Sequence, residues 1–198
     1  VVKDVGGDFY DFFKIDDERI GFIIADVSGK GIPAAIFMAV RRTLIRATAL
    51  HDVSPAECMT YSNKLLAKES VNCMFVTVFY GILNTTTGEF TYCNAGHNPP
   101  YIIKENGEIK AFPMPTQPIV GIVDDYDFEE EKMQLNEGDA LVLFTDGVTE
   151  AMNSVFEEFG ESRFEETLRK VSSADCQSII DATKEDLAAF VGEAEQSD

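Results

Sequence analysis

One stretch constrains this chain more than any other. Arg19-Ile20-Gly21-Phe22-Ile23-Ile24-Ala25-Asp26 is followed by Val27-Ser28-Gly29-Lys30-Gly31 and then by Ile32-Pro33-Ala34-Ala35. The apolar run reads as a buried strand, and it ends in a carboxylate. The glycine-rich segment behind it reads as a tight turn. Pro33 suits the first turn of a helix, where its missing N–H costs nothing. That helix is expected to run to about residue 50. Its first half, Ala34 to Val40, is apolar on every side, which predicts burial against a sheet or another helix. A buried strand that turns straight into such a helix calls for a layered domain of sheet and helices.

The rest of the chain extends this pattern. Ser54-Pro55-Ala56-Glu57 is a capping box, and a second helix is expected over about 55–69. Met74 to Leu83 is rich in Val, Phe and Tyr, and Glu89 to Cys93 returns after the turn Asn84-Thr85-Thr86-Thr87-Gly88. That hairpin makes the sheet at least partly antiparallel. Residues 100–103 and 108–112 form further strands joined through Asn106-Gly107. Two more, 127–133 and 140–145, are joined through Asn136-Glu137-Gly138-Asp139. Helices are expected over 161–170 and 175–191. The order lacks the regular strand–helix alternation of a dinucleotide-binding fold, so the residues call for a single layered α/β or α+β domain with helices on the sheet faces.

Charge and composition narrow the function. The chain has 198 residues and a net charge of −19, carried almost wholly after residue 123, where 22 acids face 5 bases. Such a chain repels phosphate backbones, which argues against general nucleic-acid binding. No apolar run approaches the ~18–20 residues of a membrane span. Cys58, Cys73, Cys93 and Cys176 form no CxxC pair, so zinc-knuckle and dithiol chemistry have no support. Free buried thiols fit a reducing compartment, and the expected location is the cytoplasm. The only histidines are His51 and His97, and no Gly-x-Ser-x-Gly, His-Glu-x-x-His or P-loop pattern occurs.

Three acids stand beside glycine at apparent strand ends: Asp8 after Gly6-Gly7, Asp26 before Val27-Ser28-Gly29, and Asp146 before Gly147. A carboxylate ending a hydrophobic strand is costly unless satisfied. A hard cation such as Mg²⁺ or Mn²⁺, which prefers carboxylate and water oxygens, satisfies it, and glycine lets a backbone carbonyl join. The alternative is that each acid caps a turn or a helix. His97, within Asn94-Ala95-Gly96-His97-Asn98-Pro99-Pro100, is expected to tie a rigid loop together by hydrogen bonds. His51 is placed just past a helix end. Asp11 is a candidate for supporting a metal ligand or for a strand-side acid, and Arg41 and Arg42 are candidates for meeting a phosphate or for surface ion pairing.

Five motifs in order resemble a known family: Gly6-Gly7-Asp8-Phe9-Tyr10-Asp11, Ala25-Asp26-Val27-Ser28-Gly29-Lys30-Gly31-Ile32-Pro33-Ala34-Ala35, Met74-Phe75-Val76-Thr77, Asn94 to Pro100, and Thr145-Asp146-Gly147-Val148-Thr149-Glu150-Ala151. They are similar to the bacterial stress-response and sporulation branch of the metal-dependent, PP2C-like Ser/Thr protein phosphatases. The resemblance covers residues 1–198 and implies a single phosphatase domain. It implies two packed antiparallel sheets flanked by helices, an αββα sandwich, with two Mn²⁺ or Mg²⁺ ions at one edge. The implied ligands are Asp8, a bridging Asp26, the Val27 backbone carbonyl, Asp146 and, through Gln196-Ser197-Asp198, Asp198. The family's closing strand would lie beyond Asp198, and its usual first strand before residue 1, so the domain is expected to be truncated at both ends. Eukaryotic relatives carry a histidine in the glycine-rich turn, where this chain offers Ser28 and Lys30.

The chemistry implied is hydrolysis of phosphoserine or phosphothreonine by water whose pKa two cations lower. The implied partner is a small phosphorylated regulatory protein of the anti-sigma-factor-antagonist type. Family members often also carry an N-terminal sensor or receiver domain. Two rivals remain at this point. A nucleotide cyclase is suggested by Gly6-Gly7-Asp8-Phe9 but lacks the Glu-Phe continuation. A catalytically weak phosphatase-like domain could instead bind or sense a partner.

Overall fold

The structure, a computed structural model, describes residues 7–29, 31–68, 75–172 and 174–194. Lys30, Cys73, Met74 and Asp198, all named above, lie outside these described residues. The elements in order are β1 (Phe9–Lys14), β2 (Arg19–Val27), α1 (Ile32–Ala49), α2 (Pro55–Lys68), β3 (Val76–Asn84), β4 (Glu89–Ala95), β5 (Tyr101–Ile103), β6 (Ile109–Ala111), β7 (Glu131–Gln134), β8 (Ala140–Val142), α3 (Asp146–Thr149), α4 (Gly160–Lys170) and α5 (Cys176–Val191). They fall into two compact units, residues 1–98 with 114–135 and residues 99–113 with 136–198. Each unit has its own antiparallel sheet and its own helices, as the α+β expectation requires.

The first unit holds a five-stranded sheet in the order β1-β2-β3-β4-β7. Its register is continuous: Phe9 opposes Ala25, Ala25 opposes Val78, and Phe79 opposes Asn94. Side chains alternate across a strand, so one face carries Phe9, Phe13, Ile23, Ala25 and Val78. These pack into one core with Ala34 and Ile45 of α1 and Cys58, Met59 and Leu66 of α2. The other face carries Ile24, Phe79, Phe90 and Tyr92, and the Phe79 ring stacks at 5.3 Å from Tyr92. The capping box forms as expected: the Ser54 N–H donates to Glu57 at 2.9 Å, and the Glu57 N–H donates to the Ser54 hydroxyl at 3.3 Å.

The first half of α1 departs from the sequence expectation of all-round burial. Ile32, Ile36 and Val40, spaced four apart, are more than half exposed. The face through Ala34, Phe37, Met38, Arg41, Leu44 and Ile45 is the one that meets the core. The apolar run is wider than the face that has something to pack against.

The second unit holds a three-stranded sheet in the order β6-β5-β8. Tyr101 and Ile103 of β5 pack with Phe144, Phe159, Phe164, Leu168 and Ile179. Asp175 caps α5, its carboxylate accepting from the Ser178 N–H at 2.8 Å. Helices α4 and α5 are joined by the Thr167 hydroxyl, which donates to Asp186 at 2.6 Å. The strands expected at 127–133 and 140–145 do not pair as neighbours. β7 pairs with β4 in one sheet, and β8 pairs with β5 in the other. Asn136 to Asp139 is therefore a connection between sheets, shaped by Asp139 accepting from the Asn136 N–H at 2.9 Å. Among the described residues no helix is long and apolar enough to cross a membrane.

Candidate functional site

The ends of β1, β2 and β3 form a row. Asp26 directly opposes Thr77 in the β2–β3 register. Phe9 opposes Ala25, so the residue before β1, Asp8, continues the row beside Asp26. Asp26 and Thr77 lie on the face opposite the helices, because Ala25, Val27 and Val78 point into the helix-side core. Asp8 is exposed and Asp26 is half-buried, so both carboxylates have access to solvent.

Behind this row the backbone approaches closely. A Cβ on Gly7 would stand 2.6 Å from the Val27 carbonyl oxygen, so only glycine passes there. Two carboxylates with a nearby carbonyl form an oxygen-only donor set of the kind hard divalent cations prefer. Among the described residues no group of three or more His, Cys, Asp or Glu side chains is gathered for a metal. Asp8 and Asp26 are the two carboxylates that the strand register sets side by side.

The acids at strand ends are not all placed as the sequence suggested. Asp8 precedes a strand and Asp26 lies one residue inside the end of its strand. Asp146 does not end one: β8 stops at Val142, and Asp146 opens the short helix α3. Its carbonyl accepts from the Glu150 N–H at 2.7 Å and from the Thr149 hydroxyl at 3.2 Å. Asp146 is half-buried in the second unit. Asp198 lies outside the described residues.

The glycine-rich turn after β2 is anchored to β3. The Ser28 N–H donates to the Phe75 carbonyl at 3.0 Å, and the Phe75 N–H donates to the Ser28 hydroxyl at 2.9 Å. Ser28 is thereby a structural acceptor in this turn.

The Asn94–Pro100 loop has the rigid character expected of it. The His97 N–H donates to Asn94 Oδ1 at 2.8 Å, and Asn94 Nδ2 donates to the His97 carbonyl at 3.0 Å. Gly96 has φ +75°, and a Cβ there would lie 2.6 Å from Ile119 Cγ1. His97 is 1% exposed, and its Nδ1 is 2.8 Å from the Thr77 hydroxyl. His97 ties its loop together by hydrogen bonds, as expected, and through Thr77 it also joins the loop to β3. The sequence reading did not see Thr77 and Asn94 as the partners of His97. Both stood in quoted motifs, but the strand register that sets Thr77 beside Asp26 is not visible in one sequence.

The remaining candidates pair structurally. Asp11 accepts from Arg46 at 2.5 Å and Arg42 at 3.2 Å, which clamps β1 to α1. The Arg41 guanidinium lies 3.3 Å from the centroid of the Phe37 ring and is buried. His51 is exposed just past α1, and its N–H donates to the Thr48 carbonyl at 3.0 Å. Cys58 and Cys93 are buried, and burial pushes each thiol up to about 12. Cys176, expected to be buried, is exposed at the first position of α5, because the inward face of that helix begins only at Ile179.

Comparison with known proteins identifies the family and the fold. The sequence profile described as stage II sporulation protein E (SpoIIE) matches residues 16–198. The chain is 31% identical to the protein IcfG of Synechocystis over 99% of its own length and 35% of that protein's. It is 35% identical to the phosphoserine phosphatase RsbU of Bacillus subtilis, over 75% of its own length and 44% of that protein's. It therefore spans less than half the length of these relatives. The structure of the SiaA-PP2C domain of Pseudomonas aeruginosa superposes over 99% of this chain and 79% of that one, with a TM-score of 0.86 at 21% identity. The fold is shared with that domain, the profile covers nearly the whole sequence, and the chain belongs to the SpoIIE family, within the stress-response and sporulation branch of the PP2C-like phosphatases.

Proposed function

We propose that this chain is a divalent-cation-dependent protein serine/threonine phosphatase domain of the cytoplasm. Its proposed substrate is phosphoserine or phosphothreonine on a small regulatory protein of the anti-sigma-factor-antagonist type. The observation that carries this reading is the row at the sheet end, where Asp26, opposite Thr77, stands beside Asp8, with the Val27 carbonyl at Gly7 behind it. Membership of a family that includes two proteins named phosphoserine phosphatases supports it.

The proposed ligand set is Asp8, Asp26, the Val27 carbonyl, Asp146 and Asp198, for two ions of Mn²⁺ or Mg²⁺. Bound there, such cations activate water and offset charge on the phosphoryl oxygens. The chain's own residues supply placement. Asp8 and Asp26 are set side by side by backbone register, so their spacing needs no ordering when substrate arrives. The Gly7–Val27 approach sets the Val27 carbonyl oxygen close against the residue before Asp8. Water fits the role of nucleophile better than a side chain does. The Ser28 hydroxyl is engaged by the Phe75 N–H, and the two buried thiols are held protonated.

The test is phosphate release from a phosphoserine-bearing domain of the anti-sigma-factor-antagonist type. Release in Mn²⁺ or Mg²⁺ and none in chelator is expected. Equal release in chelator would contradict the proposal.

A further inference from the structure

The loop between α3 and α4 carries an aromatic ring where the backbone resists one. Phe156 has φ +63°, and it and Asp52 are the only described residues other than glycine in the left-handed region. An aspartate tolerates that region through its short polar side chain; a bulky ring does not. Burial offers no compensation, because Phe156 is 84% exposed, more than any other large apolar side chain among the described residues. Val155 beside it is 67% exposed. An exposed apolar residue alone calls for no explanation, but one held in a costly conformation points to a use at that spot.

The base of the loop holds this tip in place. The Phe156 N–H donates to the Asn153 carbonyl, and the Asn153 N–H donates to the Glu157 carbonyl, each at 3.0 Å. Asn153 Oδ1 accepts from the Val155 N–H at 3.0 Å and from the Glu157 N–H at 2.9 Å, while Nδ2 donates to the Glu157 carboxylate at 3.0 Å. Below the tip, Met152 pairs with Glu158, and the Phe159 N–H donates to the Ala151 carbonyl at 2.8 Å. The Phe159 ring is buried, 5.4 Å from that of Phe190. Val155 and Phe156 are thus displayed on an ordered base, so little ordering is needed when a partner covers them.

The geometry points to Val155 and Phe156 as the anchor on which the phosphoprotein substrate docks, the two side chains entering an apolar pocket with a basic rim. The inference rests on the phosphatase reading and on Asp146 as part of its site. Charge selects the kind of partner. Glu157, Glu158 and Glu161 follow the tip and are exposed, in the part of the chain where 22 acids face 5 bases. They repel an anionic lipid surface and the same tip on a second copy, and they attract a positive rim. Reach selects the substrate. Asp146 and Phe156 lie in one unit, ten residues apart, and the first four residues of that stretch form α3. Their Cα atoms are therefore at most about 30 Å apart. A domain of about 100 residues is about that wide, so one whose phosphoserine sits at Asp146 extends to the tip.

The experiment uses the whole chain in saturating Mn²⁺ and the phosphoserine-bearing domain of the anti-sigma-factor-antagonist type. Phe156→Gly should melt no lower than wild type, because glycine relieves the left-handed backbone. It should raise KM for the phosphoprotein at least about 10-fold with little change in kcat, the loss expected of one interface anchor. Phe156→Tyr keeps the ring and should keep the wild-type KM. Titration calorimetry in chelator, where no turnover intervenes, should show the same order of affinities.

A wild-type KM in Phe156→Gly, or a melting temperature several degrees below wild type, overturns the proposal. Pelleting with phosphatidylcholine vesicles, or dimerisation, that Phe156→Gly abolishes assigns the tip to another partner and also overturns it. The calorimetry separates the two levels. If wild type binds the phosphoprotein at least about 10-fold more tightly than Phe156→Gly but releases no phosphate in Mn²⁺, the phosphatase reading falls and the docking tip stands. If wild type releases phosphate and the two chains bind alike, only the tip falls.

Discussion

Replacing Asn94 with alanine should destabilise the first unit far more than the loss of one small polar side chain suggests. Asn94 holds both the N–H and the carbonyl of His97, at 2.8 and 3.0 Å. Both partners are buried, with His97 1% and Asn94 7% exposed. Truncation removes neither backbone group; it leaves both without the bond they had. A buried polar group stripped of its partner costs about 1–3 kcal/mol, so the pair costs about 2–6 kcal/mol. The lower end applies if water enters the vacated volume. Against a typical total of about 5–15 kcal/mol this is a large fraction. The assay is urea unfolding followed by far-UV circular dichroism, with the slope checked for constancy. Hydrogen exchange at the His97 amide supplies a local reading, since that proton should lose protection first. A loss under about 1 kcal/mol with unchanged slope, and a still-protected His97 amide, would refute the reasoning.

Three further outcomes follow from the structure. Cys176 should react with a thiol reagent in the native state while Cys58 and Cys93 react only on unfolding, because burial protects those two and raises them to about 12. Burial alone would raise the Asp139 carboxyl, but Lys104 at 2.8 Å and the N–H groups of Asn136 and Glu105 outweigh it and hold the group below its ordinary 3.8. A depressed folded value means stability that is present above the unfolded value and lost as pH falls through the folded one. Asp139→Asn should therefore lower the melting temperature at neutral pH, and the two curves should converge below about pH 4. Finally, MnCl₂ should raise the melting temperature more than NaCl of equal ionic strength, because a cation that binds only the folded chain adds stability beyond screening. Equal shifts would count against a cation site.

Much of this molecule is legible from its residues where local chemistry decides. The Ser54–Glu57 box starts α2 where expected, and the Asn84–Gly88 and Asn106–Gly107 turns make the hairpins β3–β4 and β5–β6. The expected strand over 19–26 and helix to about residue 50 match β2 and α1 to within a residue. What failed was decided by partners far along the chain. The strands flanking Asn136–Asp139 looked like a hairpin, yet each pairs elsewhere, since ladder bonds to β4 and β5 outweigh the proximity of the turn. The all-apolar start of α1 looked buried all round, yet burial depends on what faces it, and Ile36 and Val40 are exposed. At the site, the acids were legible from type and neighbouring glycine. Their neighbours were not: strand register sets Thr77 opposite Asp26, and Asn94 meets His97 because a turn at Gly96 folds the chain back onto it.

The most direct test of the central claim is turnover of a phosphoserine substrate by wild type and Asp26→Ala in saturating Mn²⁺, with circular dichroism to show that both are folded. Asp26 is the half-buried carboxylate at the centre of the row, with Asp8 on one side and Thr77 on the other. Wild type should release phosphate in Mn²⁺ and lose that activity in chelator, and the folded variant should match the chelator control. A folded Asp26→Ala chain that hydrolyses the phosphoserine substrate at the wild-type rate would contradict it.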